Sequence, residues 1–142
     1  MRYLLSFIAL LACSVPLMEQ ATACSCAPPP PPKQALAQAE AVFSGKVTDI
    51  TIKDHTKFVT IEVDRVWKGT VAAKVVITTP EHGATCGYGF TTKGDATYLV
   101  YCYKNEKGLA TNLCTRTTAL GNAKEDLKEL GDGEKPKEEK KE

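Results

Sequence analysis

Two long segments in the middle of the chain alternate apolar and polar residues with a period of two. Residues 42–52 and 58–67 are both rich in β-branched side chains. In the second segment, Val59, Ile61 and Val63 are each followed by a polar residue, so an extended strand would have one dry and one wet face. The residues between the two segments, 54–57, are polar and predict a turn.

Shorter segments extend this pattern toward the C-terminus, at residues 74–79, 96–104 and 109–114. Residues 33–40 are rich in Ala, Gln and Leu and predict a short N-terminal helix. Residues 122–130 carry apolar side chains at helical spacing and predict a C-terminal helix, with Gly131 just beyond its end. Five strands flanked by two short helices predict a mainly β protein and fit a five-stranded OB-fold barrel.

The first 23 residues predict a secretory signal peptide. Arg2 supplies the positive charge at the start, residues 3–17 form an apolar run, and Ala21 and Ala23 form a small-residue cleavage site. Cleavage after Ala23 would make Cys24 the first residue of the mature protein. Removing these 23 of the 142 residues leaves 119, which suits a single domain that is secreted or periplasmic.

A second processing route is open because residues 10–13, Leu-Leu-Ala-Cys, are close to a bacterial lipobox. Cleavage there would place a lipid on Cys13 and leave Cys24 inside the chain, without a free amine. The protein would then be a lipid-anchored envelope protein. The two routes therefore predict different chemistry at Cys24.

The C-terminal end differs in composition from the rest of the chain. Residues 132–142 are mostly charged and contain no large apolar side chain, so we expect a disordered tail after a domain at 24–130. No segment after the leader is apolar enough to span a membrane. The net charge of +1 gives no indication of a nucleic-acid partner.

The cysteine count predicts a disulfide framework in an oxidising compartment. The chain has six cysteines, of which Cys13 lies in the predicted leader. Five then remain, so one is left without a partner. Cys102 lies in the apolar strand at 96–104, where a free thiol packs well as a small hydrophobe, and we expect it to be that one.

Nothing in the sequence predicts an enzyme or a bound cofactor. His55 and His82 are the only histidines; they lie in separate predicted loops without a helical His-x-x-x-His pattern, and both are expected to be solvated. There is no glycine-rich phosphate loop and no nucleophile elbow.

The segment Cys24-Ser25-Cys26-Ala27-Pro28, placed directly after a cleavage site, resembles the mature N-terminus of the tissue inhibitors of metalloproteinases. This family has netrin-like OB domains that begin Cys-x-Cys. Further segments that are similar to its bacterial-type members follow in the same order: residues 42–47, 66–69, 86–90 and 112–117. The resemblance covers about residues 24–130.

The resemblance implies disulfides Cys24–Cys86 and Cys26–Cys114, and a function as an inhibitor of zinc metalloendopeptidases. The amine and carbonyl groups of Cys24 would bind the catalytic zinc of the protease, and Ser25 would enter the adjacent specificity pocket. Residues 54–57 and 79–85 would extend the contact of a monomeric inhibitor. The alternative is a non-inhibitory OB-fold module that binds or supports another envelope component, because a fold alone does not fix a function.

Overall fold

The computed structural model describes residues 23–137, so residues 1–22 of the predicted leader and residues 138–142 lie outside the described residues. Two α-helices and six strands are present within this range. The helices are α1 (Pro32–Gln38) and α2 (Lys124–Leu130). The strands are β1 (Ala41–Lys53), β2 (Thr56–Lys68), β3 (Lys74–Pro80), β4 (Thr97–Asn105), β5 (Gly108–Ala110) and β6 (Thr118–Ala119). The prediction of a mainly β protein with two short helices is confirmed.

Five of the strands pair in a closed ring, in the order β1-β2-β3-β5-β4 and back to β1. The pairing of β3 with β5, where Thr78 lies opposite Ala110, is parallel, and the others are antiparallel. β6 adds a short antiparallel pairing to β4. The β1–β2 hairpin turns at Asp54 and His55, whose φ angles of 48° and 54° suit a two-residue type I′ turn.

The first half of β1 is buried on both faces, because its side chains alternate between two apolar clusters. Phe43 and Val47 belong to the main core, together with Ile61, Ile77 and Val100 from the other long strands. On its other face, β1 contributes to a cluster that the two helices cover: Val42, Leu99, Tyr101, Ala35 and Ala123. Apolar burial on both faces fixes the register of β1, since a slip of one residue would exchange the two sets.

Each end of α1 is specified by a local feature. Pro32 occupies the first turn, where the missing N–H costs nothing because that position has no intrahelical acceptor. At the other end, the Lys68 ammonium group donates hydrogen bonds to the carbonyls of Leu36 and Ala37 at 3.0 and 2.7 Å. These carbonyls would otherwise lack partners at a helix C-terminus.

Helix α2 has acidic residues in its first turn, Glu125 and Asp126, where the helix dipole favours negative charge. It ends at Leu130. Gly131 follows with a φ of 67°, which confirms the predicted glycine just beyond the helix. No helix among residues 23–137 is long and apolar enough to cross a membrane.

The predicted strand at 109–114 is wrong for residues 111–114, since β5 ends at Ala110. In the following loop the Thr111 N–H still donates to the Thr78 carbonyl of β3 at 2.9 Å, but threonine side chains provide the hydrogen bonds to β4. Thr111 Oγ1 donates to the Tyr101 carbonyl at 3.0 Å, and Thr117 Oγ1 accepts from the Tyr101 N–H at 3.0 Å. Hydroxyl groups that bond to the backbone compete with sheet formation, and here they end the strand.

The prediction of a disordered tail from residue 132 onward is also wrong for residues 132–137. Backbone hydrogen bonds of 2.8 Å join Glu134 and Val66 in both directions, at the end of β2 that extends beyond its pairing with β3. Trp67 Nε1 donates to the Gly131 carbonyl at 2.8 Å. The composition of the tail does not reveal these contacts, because they depend on backbone and side-chain groups that β2 leaves unpaired beyond β3.

Candidate functional site

The N-terminal edge, which we define as residues 24–28, is attached to the ring by two disulfides. Cys24 bonds to Cys86 and Cys26 to Cys114, each with a Cα–Cα distance of 5.1 Å. These are the two pairings that the resemblance implied. The two bridges lie side by side, with 3.8 Å between the sulfurs of Cys24 and Cys26. Both ends of the Cys-x-Cys segment are therefore fixed, and Ser25 projects between two covalent anchors.

The edge is open to solvent apart from its first residue. Cys24 is half-buried, whereas Ser25, Cys26, Ala27 and Pro28 are exposed. The backbone nitrogen of Cys24 donates a hydrogen bond to the Ala84 carbonyl at 3.1 Å. The described chain includes Ala23, so this nitrogen belongs to a peptide here. After cleavage behind Ala23 it would become the terminal amine.

The loop that receives Cys24 is held in shape by its own backbone. Residues Gly83–Thr85 form a 3₁₀ turn, and Cys86 follows it with a φ of 65°, an uncommon conformation for a residue with a side chain. A side chain at Gly87 would collide with the carbonyl oxygen of Pro80, so this close passage requires glycine. The Leu113 N–H donates to the Cys86 carbonyl at 2.8 Å and joins the two loops that carry Cys86 and Cys114.

A largely buried ionic network anchors Pro30, two residues beyond the edge. Arg116 Nη1 donates to the Pro30 carbonyl at 3.1 Å. Its Nε and Nη2 donate to the two carboxylate oxygens of Asp126 at 2.7 and 2.8 Å, and the Tyr101 hydroxyl donates to Asp126 Oδ1 at 2.7 Å. This bidentate geometry is the strong form of an arginine–carboxylate pair, so it connects residue 30 to β4 and α2.

The same network shifts the ionisation of its members. Burial disfavours the charged form of Asp126, but hydrogen bonds from Arg116 and Tyr101 outweigh it, and the pKa of the carboxyl group is lowered. The pKa of Tyr101 is raised, first by burial and then by its hydrogen bond to Asp126. At neutral pH the network therefore pairs a carboxylate with a guanidinium and a neutral phenol.

Cys102 is the free cysteine among residues 23–137, and it is buried in β4. This confirms the prediction that it is the unpaired one. Burial raises the pKa of its thiol to about 12. Since the thiolate is the reactive form, the Cys102 thiol is inert in the folded protein.

The two histidines lie in separate loops and are exposed, as predicted, but the structure brings them to one carboxylate. His55 Nδ1 lies 3.1 Å and His82 Nε2 lies 3.5 Å from the same oxygen, Glu81 Oε2. The sequence criterion missed this cluster because it required helical spacing. The strand register contains the signal: Thr56 pairs with Pro80, which places the hairpin tip beside Glu81.

Of the predicted site residues, Cys24 to Pro28 thus form one exposed edge. The predicted flanking loop at 79–85 contacts this edge through Ala84, and the hairpin tip at 54–57 contacts that loop through a hydrogen bond from the Glu81 N–H to the His55 carbonyl, 3.0 Å long. Arg116, Asp126 and the threonine loop were not predicted. The role of Arg116 depends on its contact with Pro30, 86 residues away, and the contacts within residues 111–117 depend on how that irregular loop folds; neither follows from a periodic pattern.

Comparison with known proteins gives no family for this chain. No protein-family model matches the sequence, and no curated protein matches it.

Proposed function

We propose that the mature protein is a secreted inhibitor of zinc metalloendopeptidases that binds the catalytic zinc of its target through Cys24. The observation that carries this proposal is the exposed N-terminal edge between two adjacent disulfides. Such an edge enters a protease cleft without becoming ordered on binding, so little conformational entropy is lost.

The chemistry at Cys24 depends on cleavage after Ala23. A terminal amine has two hydrogens and a lone pair in its neutral form. One hydrogen keeps the contact with the Ala84 carbonyl, 3.1 Å away. This hydrogen bond fixes the direction of the lone pair, in the same way that an outer hydrogen-bond partner orients a metal ligand. An ordinary α-amino group has a pKa of about 7.7–8.0, so deprotonating it at neutral pH costs little free energy.

The amine nitrogen and the carbonyl oxygen of Cys24 together chelate the zinc of the protease. They displace the water that this metal activates for peptide hydrolysis. Ser25 is exposed between the two anchors, so its side chain occupies the pocket next to the metal and influences which proteases are bound. Residues 26–28 continue along the cleft, and the protein itself requires no cofactor.

The closed ring of strands supports an OB-fold barrel as the platform for this edge. Five strands close through the non-consecutive pairings β1–β4 and β3–β5, as a five-stranded Greek-key barrel requires. The disulfides agree with an oxidising compartment, outside the cell or in the periplasm. The inhibitor acts as a monomer, and its partner is a protease.

The test compares forms of the protein that differ only at the amine. One form begins at Cys24, a second retains Ala23, and a third begins at Cys24 but is acetylated. The described chain carries Ala23 and still pairs all four cysteines, so the second form is a matched folded control. We expect the first form to inhibit at least one member of a panel of secreted zinc endopeptidases, and the other two to inhibit none.

Equal inhibition by the forms that begin at Cys24 and at Ala23 would show that chelation by the amine is wrong. If no form inhibits any protease of the panel, the non-inhibitory binding module becomes the better explanation. Replacing Ser25 with Gly should change the ranking of the inhibited proteases if the side chain occupies the pocket. Intact-mass analysis of the exported protein establishes whether the chain begins at Cys24 or carries a lipid on Cys13.

A further inference from the structure

His55, Glu81 and His82 bring three groups of the kinds that bind metal ions to one place on the surface, separate from Cys24. Their ligand atoms Nδ1, Oε2 and Nε2 lie within 4.8 Å of one another. The two distances to the carboxylate oxygen, 3.1 and 3.5 Å, are close to the roughly 3.3 Å that separates neighbouring nitrogen and oxygen ligands around tetrahedral zinc. The three side chains need only a small adjustment to share one ion.

The backbone already holds these three residues in place. The Glu81 N–H donates to the His55 carbonyl at 3.0 Å. The His82 carbonyl accepts hydrogen bonds from the N–H groups of Thr85 and Gly87 at 3.0 and 2.9 Å, and from the Thr85 hydroxyl at 2.9 Å. Because the backbone is fixed, only side-chain freedom is lost when these residues bind an ion.

The hairpin turn presents His55 in a conformation that most side chains avoid. His55 occupies the second turn position with a φ of 54°, where type I′ turns favour glycine. Its side chain is 90% exposed, so no packing in the interior explains why an imidazole stands there. Glu81 is the least exposed of the three side chains, at 22%, and it lies between the two imidazoles.

We propose that these three side chains bind one divalent transition-metal ion, with Zn²⁺ as the reference ion. Two imidazoles and a carboxylate are ligands that Zn²⁺ favours. Three protein ligands leave a coordination position for water or for a group from another molecule. The ion joins the tip of the β1–β2 hairpin to the loop that accepts the Cys24 nitrogen, so it strengthens the surface beside the N-terminal edge.

The experiment is a titration of the tag-free, oxidised protein with Zn²⁺ by calorimetry. The acetylated form that begins at Cys24 is used, since it has no free N-terminal amine that could chelate the metal. We expect one ion per chain and a rise in Tm with added Zn²⁺, because a ligand that binds only the folded state stabilises it. Co²⁺ in place of Zn²⁺ should give a visible absorption band from bound metal.

Matched variants test the assignment of the three ligands. His55→Asn keeps a residue that tolerates positive φ and removes the imidazole, while His82→Asn and Glu81→Gln remove the other two ligands. Each should lower the affinity for Zn²⁺ by about 100-fold or more, because loss of an outer partner alone costs up to about 100-fold. Glu62→Gln, at an exposed position of β2, should leave the affinity unchanged.

Circular dichroism spectra establish that each variant is folded before titration. Absence of saturable Zn²⁺ binding by the unsubstituted protein would overturn the proposal. Binding that survives both histidine substitutions would overturn it as well. Neither result depends on protease inhibition, so this site and the proposed function at Cys24 fail or stand separately.

Discussion

The ring of strands and the N-terminal edge are held together by different forces. The ring buries aliphatic and aromatic side chains, and Phe43, Ile61 and Ile77 have no exposed surface. The N-terminal edge has no regular secondary structure, and four of its five residues are exposed. Two disulfides and a backbone hydrogen bond keep it in place. Hydrophobic burial specifies the ring, whereas covalent bonds specify the edge.

This difference separates stability from function. A change inside the ring lowers the free energy of unfolding but leaves the edge in position while the protein remains folded. A change at the edge or at its anchors alters the surface that meets a partner. The following substitutions test this separation, beginning with the largest expected effect.

Removing the second disulfide should have the largest effect. Cys26→Ser with Cys114→Ser opens a loop with a sequence separation of 88, and the chain-entropy estimate for such a loop is roughly 4 kcal/mol. We expect the free energy of unfolding in urea to fall by about that amount and inhibition to be lost, because one of the two anchors is gone. Retained inhibition would show that the second anchor is unnecessary.

A core substitution provides the matched comparison for that disulfide. Ile77→Ala removes a fully buried side chain of β3 and should cost about 3 kcal/mol, within the range for such cavities. Although the loss of stability is similar, inhibition measured at a temperature where the variant is folded should be unchanged. If inhibition is lost from the folded variant, the ring and the edge are not separable.

Asp126→Asn tests the network that anchors residue 30. It removes the bidentate carboxylate partner of Arg116 and leaves only the exposed Glu125 at 3.3 Å, so we expect a cost of about 2 kcal/mol at pH 7. The pKa of Asp126 is lowered in the folded state, so its contribution is complete well above the unfolded value of about 3.9 and is lost as the pH falls through the folded value. Urea denaturation at a series of pH values should show that the free energies of unfolding of the native and substituted proteins converge below about pH 4. A difference that grows on acidification would contradict the network.

Cys102→Ala should have the smallest effect. The loss of one small buried side chain costs on the order of 1 kcal/mol, and both disulfides should remain in peptide maps made without reduction. Because burial raises the pKa of the Cys102 thiol to about 12, the native protein should not react with a thiol reagent at pH 8, and the urea-unfolded protein should. Rapid reaction in the native state would place Cys102 outside the core.

The ring was more predictable from the sequence than the surface around it. Alternation of apolar residues located β1 and β2, since burial of one face imposes a period of two on a strand. A continuous apolar run located β4, in which five successive residues are buried. The strand prediction failed after Ala110, where threonine hydroxyls bond to the backbone of β4, and the tail prediction failed beyond Gly131, where Glu134 pairs with Val66 of β2. The partner of Glu134 lies far away in the sequence, in β2, whereas the threonine contacts to Tyr101 span 10 and 16 residues.

The candidate site was also predictable from the sequence only in part. The Cys-x-Cys segment and its pairings followed from a family resemblance. The contact of His55 and His82 with Glu81 was not predicted from the sequence, because it depends on the register between β2 and β3. The link from Arg116 to Pro30 spans 86 residues, and no local signal connects them.

The most direct measurement of the central proposal is the visible spectrum of a zinc endopeptidase whose catalytic zinc has been replaced by Co²⁺. The inhibitor carries His55→Asn and His82→Asn, so that it cannot take up cobalt at the histidine site. We predict that the form beginning at Cys24 changes the cobalt absorption of at least one protease of the panel, because an amine nitrogen and a carbonyl oxygen replace the bound water. The form that retains Ala23 should leave every spectrum unchanged. Identical spectra with both forms for all proteases would contradict binding of the metal through Cys24.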